Sequence, residues 1–450
     1  MAILKQTTSR CPQCRLPCSA TVEEKDGKVY LHRICLTHGP ATACIASDSR
    51  FYWLAQGKDD NRCCPGGTCC NAQGQPVGLL GQNIVGKTDN TFETLSTCLA
   101  LIEIVDSCNL ACPTCFADSP VGVGSKVAAV PLEQLQARID GVIARKGKLE
   151  VLQLSGGEPT LHPQLLELCR WVKAHPQIDF LLLNTNGVRF AKEPALCAAL
   201  GEIFRTGKLQ IYLQFDGVQE AGQKTLRGAD LRALRAQALA NLRAEGITVT
   251  LAMTVNRENL GHLWEAVAFG LADLNIHGIT FQPEFTSGRG PARLAPPGTV
   301  PERLNSADLI LAAVEQSGGQ LRFEDFTPLP CGDPNCATMG YLLRHEGRIM
   351  HVSDFLDFSQ FQGFLKDKVR YTVEDLARCG CETEPLGHLL QGMEKSKGLA
   401  FRLMVKPFMD AWTWDDDRID RCCTHVIRPD GKLDSFCRYY SGFPDTKAAP

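Results

Sequence analysis

Between residues 100 and 285 the chain alternates short apolar runs with longer stretches whose apolar positions recur every three or four residues. The runs are "LIEIV" (101–105), "EVLQL" (150–154), "DFLLL" (179–183), "LQIYL" (209–213), "ITVTLAM" (247–253) and "GITFQ" (278–282). Their length and richness in Leu, Ile and Val predict strands. The stretches between them, such as "PLEQLQARIDGVIARK" and "RALRAQALANLRAEG", have a helical period. Six βα units in succession imply a parallel sheet with helices outside, curled toward a barrel by right-handed crossovers. Six units fall short of the eight of a closed TIM barrel, so the pattern predicts an α/β fold with a partial, open (β/α)6 barrel. Reactive residues in such folds sit at the C-terminal ends of the strands.

The flanks differ from this core. Residues 1–50 carry two cysteine turns on either side of a short hairpin, with Asp26-Gly27 as its turn signal. Residues 51–99 contain "NRCCPGGTCC" and a Gly/Asn/Gln-rich stretch with neither period, which reads as a ligand-bearing linker. The barrel is assigned to 100–290, and the irregular region 291–450, where cysteine returns, to a C-terminal cluster-binding region.

Composition changes the picture in one respect. There are 22 cysteines in 450 residues, about 5%, below the roughly 8–10% of small secreted disulfide scaffolds. The first ten residues, "MAILKQTTSR", lead into no apolar stretch of the kind that precedes export, so a cytoplasmic chain is expected. In a reducing compartment such clusters bind metal more often than they pair. Cys169 and Cys197 stand alone in helical patterns and read as core residues. Net charge is −3, and no run approaches the roughly 18 apolar residues of a membrane span, so neither nucleic acid nor a transmembrane segment is expected.

At the N-terminus, "CPQC" and "CLTHG" have the spacing of a zinc-ribbon or rubredoxin-like knuckle. Cys11, Cys14, Cys35 and His38 form the natural tetrahedral set for one iron or zinc ion, with Cys18 or Cys44 able to replace His38. The densest signal is "DSCNLACPTCF" (106–116), where Cys108, Cys112 and Cys115 follow the first barrel strand in a Cys-x3-Cys-x2-Cys spacing. Three thiolates can hold three irons of a [4Fe-4S] cluster and leave the fourth without a protein ligand.

This arrangement resembles the radical S-adenosylmethionine superfamily. "SGGEP" (155–159), "NTNG" (184–187) and "LQFDG" (213–217) end the second, third and fourth strands, as the cofactor-binding segments of that superfamily do. The resemblance implies that the amino and carboxylate groups of S-adenosylmethionine bind the open iron, and that Cys108, Cys112 and Cys115 are catalytic. It implies cofactor contacts at Phe116, Gly156, Gly157, Glu158, Asn184, Asn186, Asp216 and Gln282, with Glu284 nearby and Arg227 similar to a cofactor-carboxylate contact.

"TCLALIEIVDSCNLACPTCF", "FQPEFTSGR", "PLPCGDPNC" and "RCCTHVIRPDGKLDSFC", in this order, are similar to the tetraether lipid synthase family, some members of which are labelled pterin methyltransferases. That family implies one or two auxiliary iron–sulfur clusters. One would use Cys331, Cys336, one of Cys422 and Cys423, and Cys437. Another would use Cys98 with members of Cys63, Cys64, Cys69 and Cys70. In that last group, two vicinal pairs replace the family's spaced cysteines.

The reaction expected is reductive cleavage of S-adenosylmethionine with bond formation on a lipid or other carbon substrate, electrons coming from a flavodoxin or ferredoxin type donor. The vicinal thiols also suit transfer of the cofactor's 3-amino-3-carboxypropyl arm to a soft acceptor such as arsenite. A non-catalytic iron–sulfur scaffold or sensor is the alternative outside enzymology. The aromatic and acidic segment 408–417 could line a pocket or pack as a loop, and His162 and His425 lie beside motifs as lone histidines.

Overall fold

The computed structural model describes residues 2–52, 69–70, 76–77, 95, 97–289, 302–328, 333–345, 347–354 and 399–441. The chain opens with an antiparallel four-stranded meander: β1 (Ala2–Arg10), β2 (Pro17–Lys25), β3 (Lys28–Cys35) and β4 (Gly39–Ala46). Asp26 and Gly27 both have positive φ, 53° and 72°, the backbone that a two-residue hairpin turn needs. The "CPQC" and "CLTHG" turns join β1 to β2 and β3 to β4, so both lie at one end of the sheet. Two short strands, β5 (Cys69–Cys70) and β6 (Pro76–Val77), pair with each other.

The six expected barrel strands are all present and parallel: β7 (Leu99–Val105), β8 (Leu149–Gly156), β9 (Ile178–Thr185), β10 (Leu209–Gln214), β11 (Val249–Val255) and β12 (Ile276–Pro283). The predicted helices form as α1 (Leu132–Lys146) and, from the second quoted stretch, Arg232–Ala244. Outward-facing strand residues such as Ile102, Leu152, Leu181, Ile211, Leu251 and Ile279 are buried against such helices, for example against Leu135 and Ile139 of α1. Burying each side chain of this size stabilises by about 1.5–3 kcal/mol.

The segment assigned to a C-terminal region contributes to this same sheet. After β13 (Phe326–Pro328), β14 (Thr338–His345) and β15 (Arg348–His351) come β16 (Leu399–Val405), β17 (Thr424–Ile427) and β18 (Leu433–Ser435). β16 pairs parallel to β12, and β17 pairs parallel to β7. Eight parallel strands therefore run in the order β17-β7-β8-β9-β10-β11-β12-β16, with β14 and β18 antiparallel outside them. Among the described residues no strand pairing joins β16 to β17, and the barrel stays open there. Across the seam, Lys406 Nζ donates to Thr424 Oγ1 at 2.8 Å. No helix among the described residues is long and apolar enough to cross a membrane.

The N-terminal sheet docks on the segment that follows β16. Arg33 is 1% exposed, and its guanidinium donates to Ser9 Oγ (3.2 Å) and Arg10 O (3.1 Å) within the sheet. It also reaches Ala411 O (2.6 Å) and Trp412 O (2.5 Å) across the interface. Lys5 and Thr7 both bind Asp415, at 2.6 and 2.7 Å. Burial makes the Arg33 charge costly, lowering its pKa to about 10, and the four carbonyl and hydroxyl acceptors compensate for that loss of water. Arg33→Met leaves those acceptors unpaired. It is expected to lower stability by about 2–4 kcal/mol in thermal unfolding of the full chain, and to make the N-terminal sheet the first fragment released by trypsin.

Candidate functional site

The cysteine loop leaves β7 and is fixed by backbone contacts before it is fixed by any metal. Gly157 N donates to Val105 O at 2.8 Å and Glu158 N to Ser107 O at 2.9 Å, so the end of β8 is stitched to the residues entering the loop. The approach is so close that a Cβ on Gly156 would lie 2.1 Å from Val105 O, and one on Gly157 2.1 Å from Ser107 O. Gly156 also sits at φ +117°, a backbone that L side chains rarely adopt. Gly156 is thus required by space and by conformation, and Gly157 by space. Further along, Cys108 N donates to Pro120 O (2.9 Å) and Gly122 N to Cys108 O (3.0 Å), folding residues 108–122 back on themselves.

Cys108, Cys112 and Cys115 line one cavity with Glu158. Burial pushes the Cys108 thiol up to about 12, and the neighbouring charges of Glu158, Cys112 and Cys115 push it the same way. Three thiolates and a carboxylate repel one another in such a place unless a thiophilic cation is supplied. The donor set therefore fits an iron–sulfur cluster held by three cysteines.

Glu158 is 1% exposed, and its carboxylate accepts from Thr160 N (3.1 Å), Thr160 Oγ1 (2.6 Å), Thr185 Oγ1 (2.8 Å) and Asn186 N (2.8 Å). Burial raises its pKa, and these donors oppose that rise. It holds the end of β9 against the end of β8. Asn186, positioned in this way, reaches Asn109 Oδ1 (2.7 Å) and Cys108 Sγ (3.8 Å). Asn184 donates to Ser155 Oγ at 3.2 Å on the lumen side.

Asp216 is fully buried and paired with Arg227 (2.6 Å) and Arg235 (3.0 Å). Burial alone would raise its carboxyl, but the two guanidiniums pull it down to about 2. Its reach to the cavity is through Arg227, which lines it and faces Cys112. Gln282 donates to Tyr212 Oη at 2.8 Å, both on the cavity wall, and Glu284 lies just beyond the end of β12. Phe116 packs with Phe285 and Phe436 and edge-on to Tyr440 (4.9 Å), while Phe408 stacks on Phe436 at 4.3 Å.

The cavity, about 210 Å³, is lined from all eight parallel strands. Leu99, Leu101, Leu182 and the aromatic group give the lining an apolar part, whereas Gln153, Ser155, Asn184, Tyr212, Gln214, Thr254, Thr280, Gln282, Arg402 and Lys406 are polar. Arg402, Met404, Lys406 and Thr424 were not singled out in the sequence. The signal that could have found them is parity, since in β16 the outward Phe401, Leu403 and Val405 are buried apolar residues.

At the N-terminal knuckle, ligand atoms of Cys11, Cys14, Cys35 and His38 all lie within 4.8 Å of one another. This donor set fits one tetrahedral zinc or iron ion. Hydrogen bonds from the His38 backbone and ring, then the Thr37 backbone, lower the Cys35 thiol to about 6. Cys18 is buried beside the four, its thiol pushed up to about 11 by burial, with Sγ on Leu16 O. Cys44 turns away to Ala46 O and stands outside the set.

Of the C-terminal cysteines, Cys336, Cys422, Cys423 and Cys437 are described, and burial raises the thiols of Cys336, Cys422 and Cys437. Half-buried Arg418 faces Cys336 and Cys437, and Cys98 N donates to Cys423 O at 2.9 Å. Cys63, Cys64 and Cys331 lie outside the described residues, as do the side chains of Cys69 and Cys70. Cys169 and Cys197 are core residues, and the segment 408–417 both lines the cavity, through Phe408, and receives the N-terminal sheet. His162 and His425 are buried, His162 bonding Val130 O at 2.8 Å.

Residues 102–270 match the Radical SAM superfamily, and residues 3–47 match the HMPTM N-terminal zinc ribbon domain. The chain is 25% identical to a 7,8-dihydro-6-hydroxymethylpterin dimethyltransferase of Methanocaldococcus jannaschii, over 97% of this chain and 93% of the relative. It is 35% identical to the PqqA peptide cyclase of Gluconobacter oxydans, over 37% of this chain and 44% of the relative. Among solved structures, Streptococcus suis SuiB bound to S-adenosylmethionine aligns at 16% identity with a TM-score of 0.36, covering 50% of this chain and 47% of that one. With the cysteine loop and the glycine pair both inside the matched stretch, residues 102–270 form a radical SAM domain, and the chain is a radical SAM enzyme.

Proposed function

We propose that this enzyme forms a bond at a carbon of a small organic substrate held inside the barrel, with S-adenosylmethionine bound at the strand ends above it. The observation that carries this reading is the meeting of the three-cysteine loop, the Gly156-Gly157-Glu158 turn and Asn186 at a cavity lined by both polar and apolar side chains. Bond formation of methyl-transfer type is the reaction named for the M. jannaschii relative, and it suits this chamber. A long-chain lipid calls for a wide apolar groove, which the polar wall of Tyr212, Thr254, Thr280 and Gln282 does not offer.

Cys108, Cys112 and Cys115 hold the cluster. When bound there, a [4Fe-4S] cluster supplies the electron for reductive cleavage of S-adenosylmethionine. The backbone of Gly156 and Gly157 and the side chain of Asn186 position the methionine end of the cofactor, and Glu158 aligns Asn186 rather than offering a free carboxylate. Phe116, Phe285, Phe408 and Phe436 shield the site from water, which matters because a radical must meet its substrate before solvent. Cys336, Cys437 and Cys422, with Arg418 among them, are the described part of an auxiliary cluster site, and Cys98 beside Cys423 belongs to a second. A flavodoxin or ferredoxin type protein is the electron donor of this reading.

The test is anaerobic reconstitution with dithionite and S-adenosylmethionine, followed by mass spectrometry of the nucleoside product. 5′-Deoxyadenosine is expected, and Cys112→Ala should reduce it to background. 5′-Methylthioadenosine would instead move the reaction to the aminocarboxypropyl arm and argue against this reading. Gly157→Ala places a methyl group on Ser107 O and is expected to lower iron and acid-labile sulfide well below the native content, read by elemental analysis and by loss of the reduced-cluster electron paramagnetic resonance signal. Removing a knuckle ligand by Cys35→Ser should cost one metal ion per chain while leaving the sulfide content unchanged.

A further inference from the structure

Cys336, Cys422 and Cys437 come from three places in the chain, ahead of β14, ahead of β17 and after β18. They lie close enough for Cys422 to act electrostatically on Cys336, and Cys437 on Cys422. Cys437 directly follows Phe436, and its Sγ accepts from the backbone of Met409, which directly follows Phe408, at 3.3 Å. Phe408 and Phe436 line the barrel cavity and stack at 4.3 Å. This thiol therefore lies one residue behind the aromatic wall of the cavity.

Backbone acceptors hold Arg418 among these cysteines. Its Nη2 donates to Asn335 O at 2.9 Å and Pro407 O at 3.4 Å, the residues before Cys336 and Phe408. Its Nε is closed to water and has no hydrogen-bond partner, with Asp333 Oδ1 3.9 Å away. Leaving a buried donor unmade costs about 1–3 kcal/mol, so this position calls for an acceptor. The sulfurs of a cluster bound by the three cysteines are such acceptors, and the donor set fits one.

The charges around this site do not balance. Arg418 acts on Cys336 and Cys437, and Lys406 on Cys437, while Asp333 acts against them at Cys336 and Asp410 at Cys437. Each acid has a further arginine of its own, Arg421 at 2.7 Å from Asp333 and Arg303 paired with Asp410. Lys406 bonds only a neutral hydroxyl, Thr424 Oγ1, among its described hydrogen bonds. Four cations thus stand against two acids. At the cysteine loop, Glu158 acts on Cys108 and Arg227 on Cys112, and Arg227 and Arg235 both pair with Asp216. There, two arginines stand against two acids. Reduction adds a negative charge to a cluster, so its potential rises with nearby positive charge and with hydrogen bonds to its sulfurs.

We propose that Arg418, assisted by Lys406, holds a cluster bound by Cys336, Cys422 and Cys437 at a higher reduction potential than the cluster of the cysteine loop. The inference goes beyond the proposed function, because it concerns the order in which electrons fill the two sites and not which bond is made. The first electron from the donor protein resides at the C-terminal site, behind the aromatic pair, and the second at the loop.

The experiment is a mediated dithionite titration of the anaerobically reconstituted full chain without S-adenosylmethionine, each cluster being followed by electron paramagnetic resonance. Cys437→Ala identifies the C-terminal cluster by the signal it removes, and Cys112→Ala identifies the loop cluster. The C-terminal cluster is expected to be reduced first. Arg418→Gln should keep native iron and sulfide content and, at a fixed potential, shift the C-terminal cluster about tenfold or more toward its oxidised form. The loop cluster should keep its midpoint. Arg418→Lys, which retains the charge, should stay within about threefold of the native equilibrium, and Lys406→Gln should shift it in the same direction as Arg418→Gln by a smaller factor. Reduction of the loop cluster first overturns the proposal, as does an unmoved C-terminal midpoint in Arg418→Gln or a Cys437→Ala variant that loses no signal. Should Arg418→Gln fail to hold the cluster, an unmoved midpoint in Lys406→Gln overturns it instead. A native protein that orders its clusters in this way yet forms no 5′-deoxyadenosine counts against the proposed function alone. One that forms it with the order reversed counts against this inference alone.

Discussion

The structure turns on the contact between two backbones at the ends of β7 and β8. With no side chains at Gly156 and Gly157, the strand end closes to hydrogen-bond distance of Val105 O and Ser107 O, and that contact sets where Cys108 leaves the sheet. The same turn continues into Glu158, whose carboxylate gathers Thr160, Thr185 and the amide of Asn186. Asn186 then returns to Asn109 and Cys108. These contacts form a closed ring: β7, cysteine loop, β8, β9, cysteine loop. This ring of buried and part-buried hydrogen bonds ties the cysteine loop to β8 and β9 through protein groups.

A second constraint acts along the strands. Each barrel strand sends alternate residues outward to the helices and inward to the lumen. Outward positions are buried aliphatic or aromatic groups almost without exception, from Ile102 to Val405. Inward positions vary by strand: Leu99 and Leu101 on β7, Gln153 and Ser155 on β8, Tyr212 and Gln214 on β10, Thr280 and Gln282 on β12, and Arg402 on β16. Stability is therefore carried by one face and recognition by the other. Because the outer face supplies the packing, the inner face is free to differ from strand to strand.

Much of this was legible in the sequence, for reasons that differ from element to element. The six strands β7 to β12 showed because each joins an apolar run to a turn, and the helical period resumes after it. The cysteine loop showed because three thiols at short spacing have few other uses. β17, four residues of "THVI", is too short for a period to register, and β16 follows an irregular region, so neither could be assigned to the sheet by pattern alone. Pairing partners far away in sequence decide their place, as when Arg402 meets Gly278 and Thr424 meets Leu99. The knuckle shows the same limit on a smaller scale. Spacing allowed Cys18, Cys44 or His38 as the fourth ligand, and only the fold of β3 and β4 turns His38 inward and Cys44 toward Ala46. Asp216 stood out as a strand-end acid, but its two arginine partners come from helices whose rotation the sequence does not fix.

The segment from Lys406 to Arg418 then acquires a role that neither its composition nor its position suggests. Lys406 and Phe408 belong to the wall of the lumen. Met409 N donates to Cys437 Sγ at 3.3 Å, and Arg418 lies between Cys336 and Cys437. Between these points, the carbonyls of Ala411 and Trp412 accept the Arg33 guanidinium, and Asp415 takes Lys5 and Thr7. One connection thus touches the barrel cavity, the C-terminal cysteines and the N-terminal sheet that carries the knuckle. Its aromatic and acidic residues divide that work, with Phe408 facing inward, Asp415 facing the sheet and Asp410 paired to Arg303. A segment held at three places has little freedom to move at any one of them, so the contacts of the N-terminal sheet with Ala411, Trp412 and Asp415 help to fix the rim of the barrel cavity at Phe408.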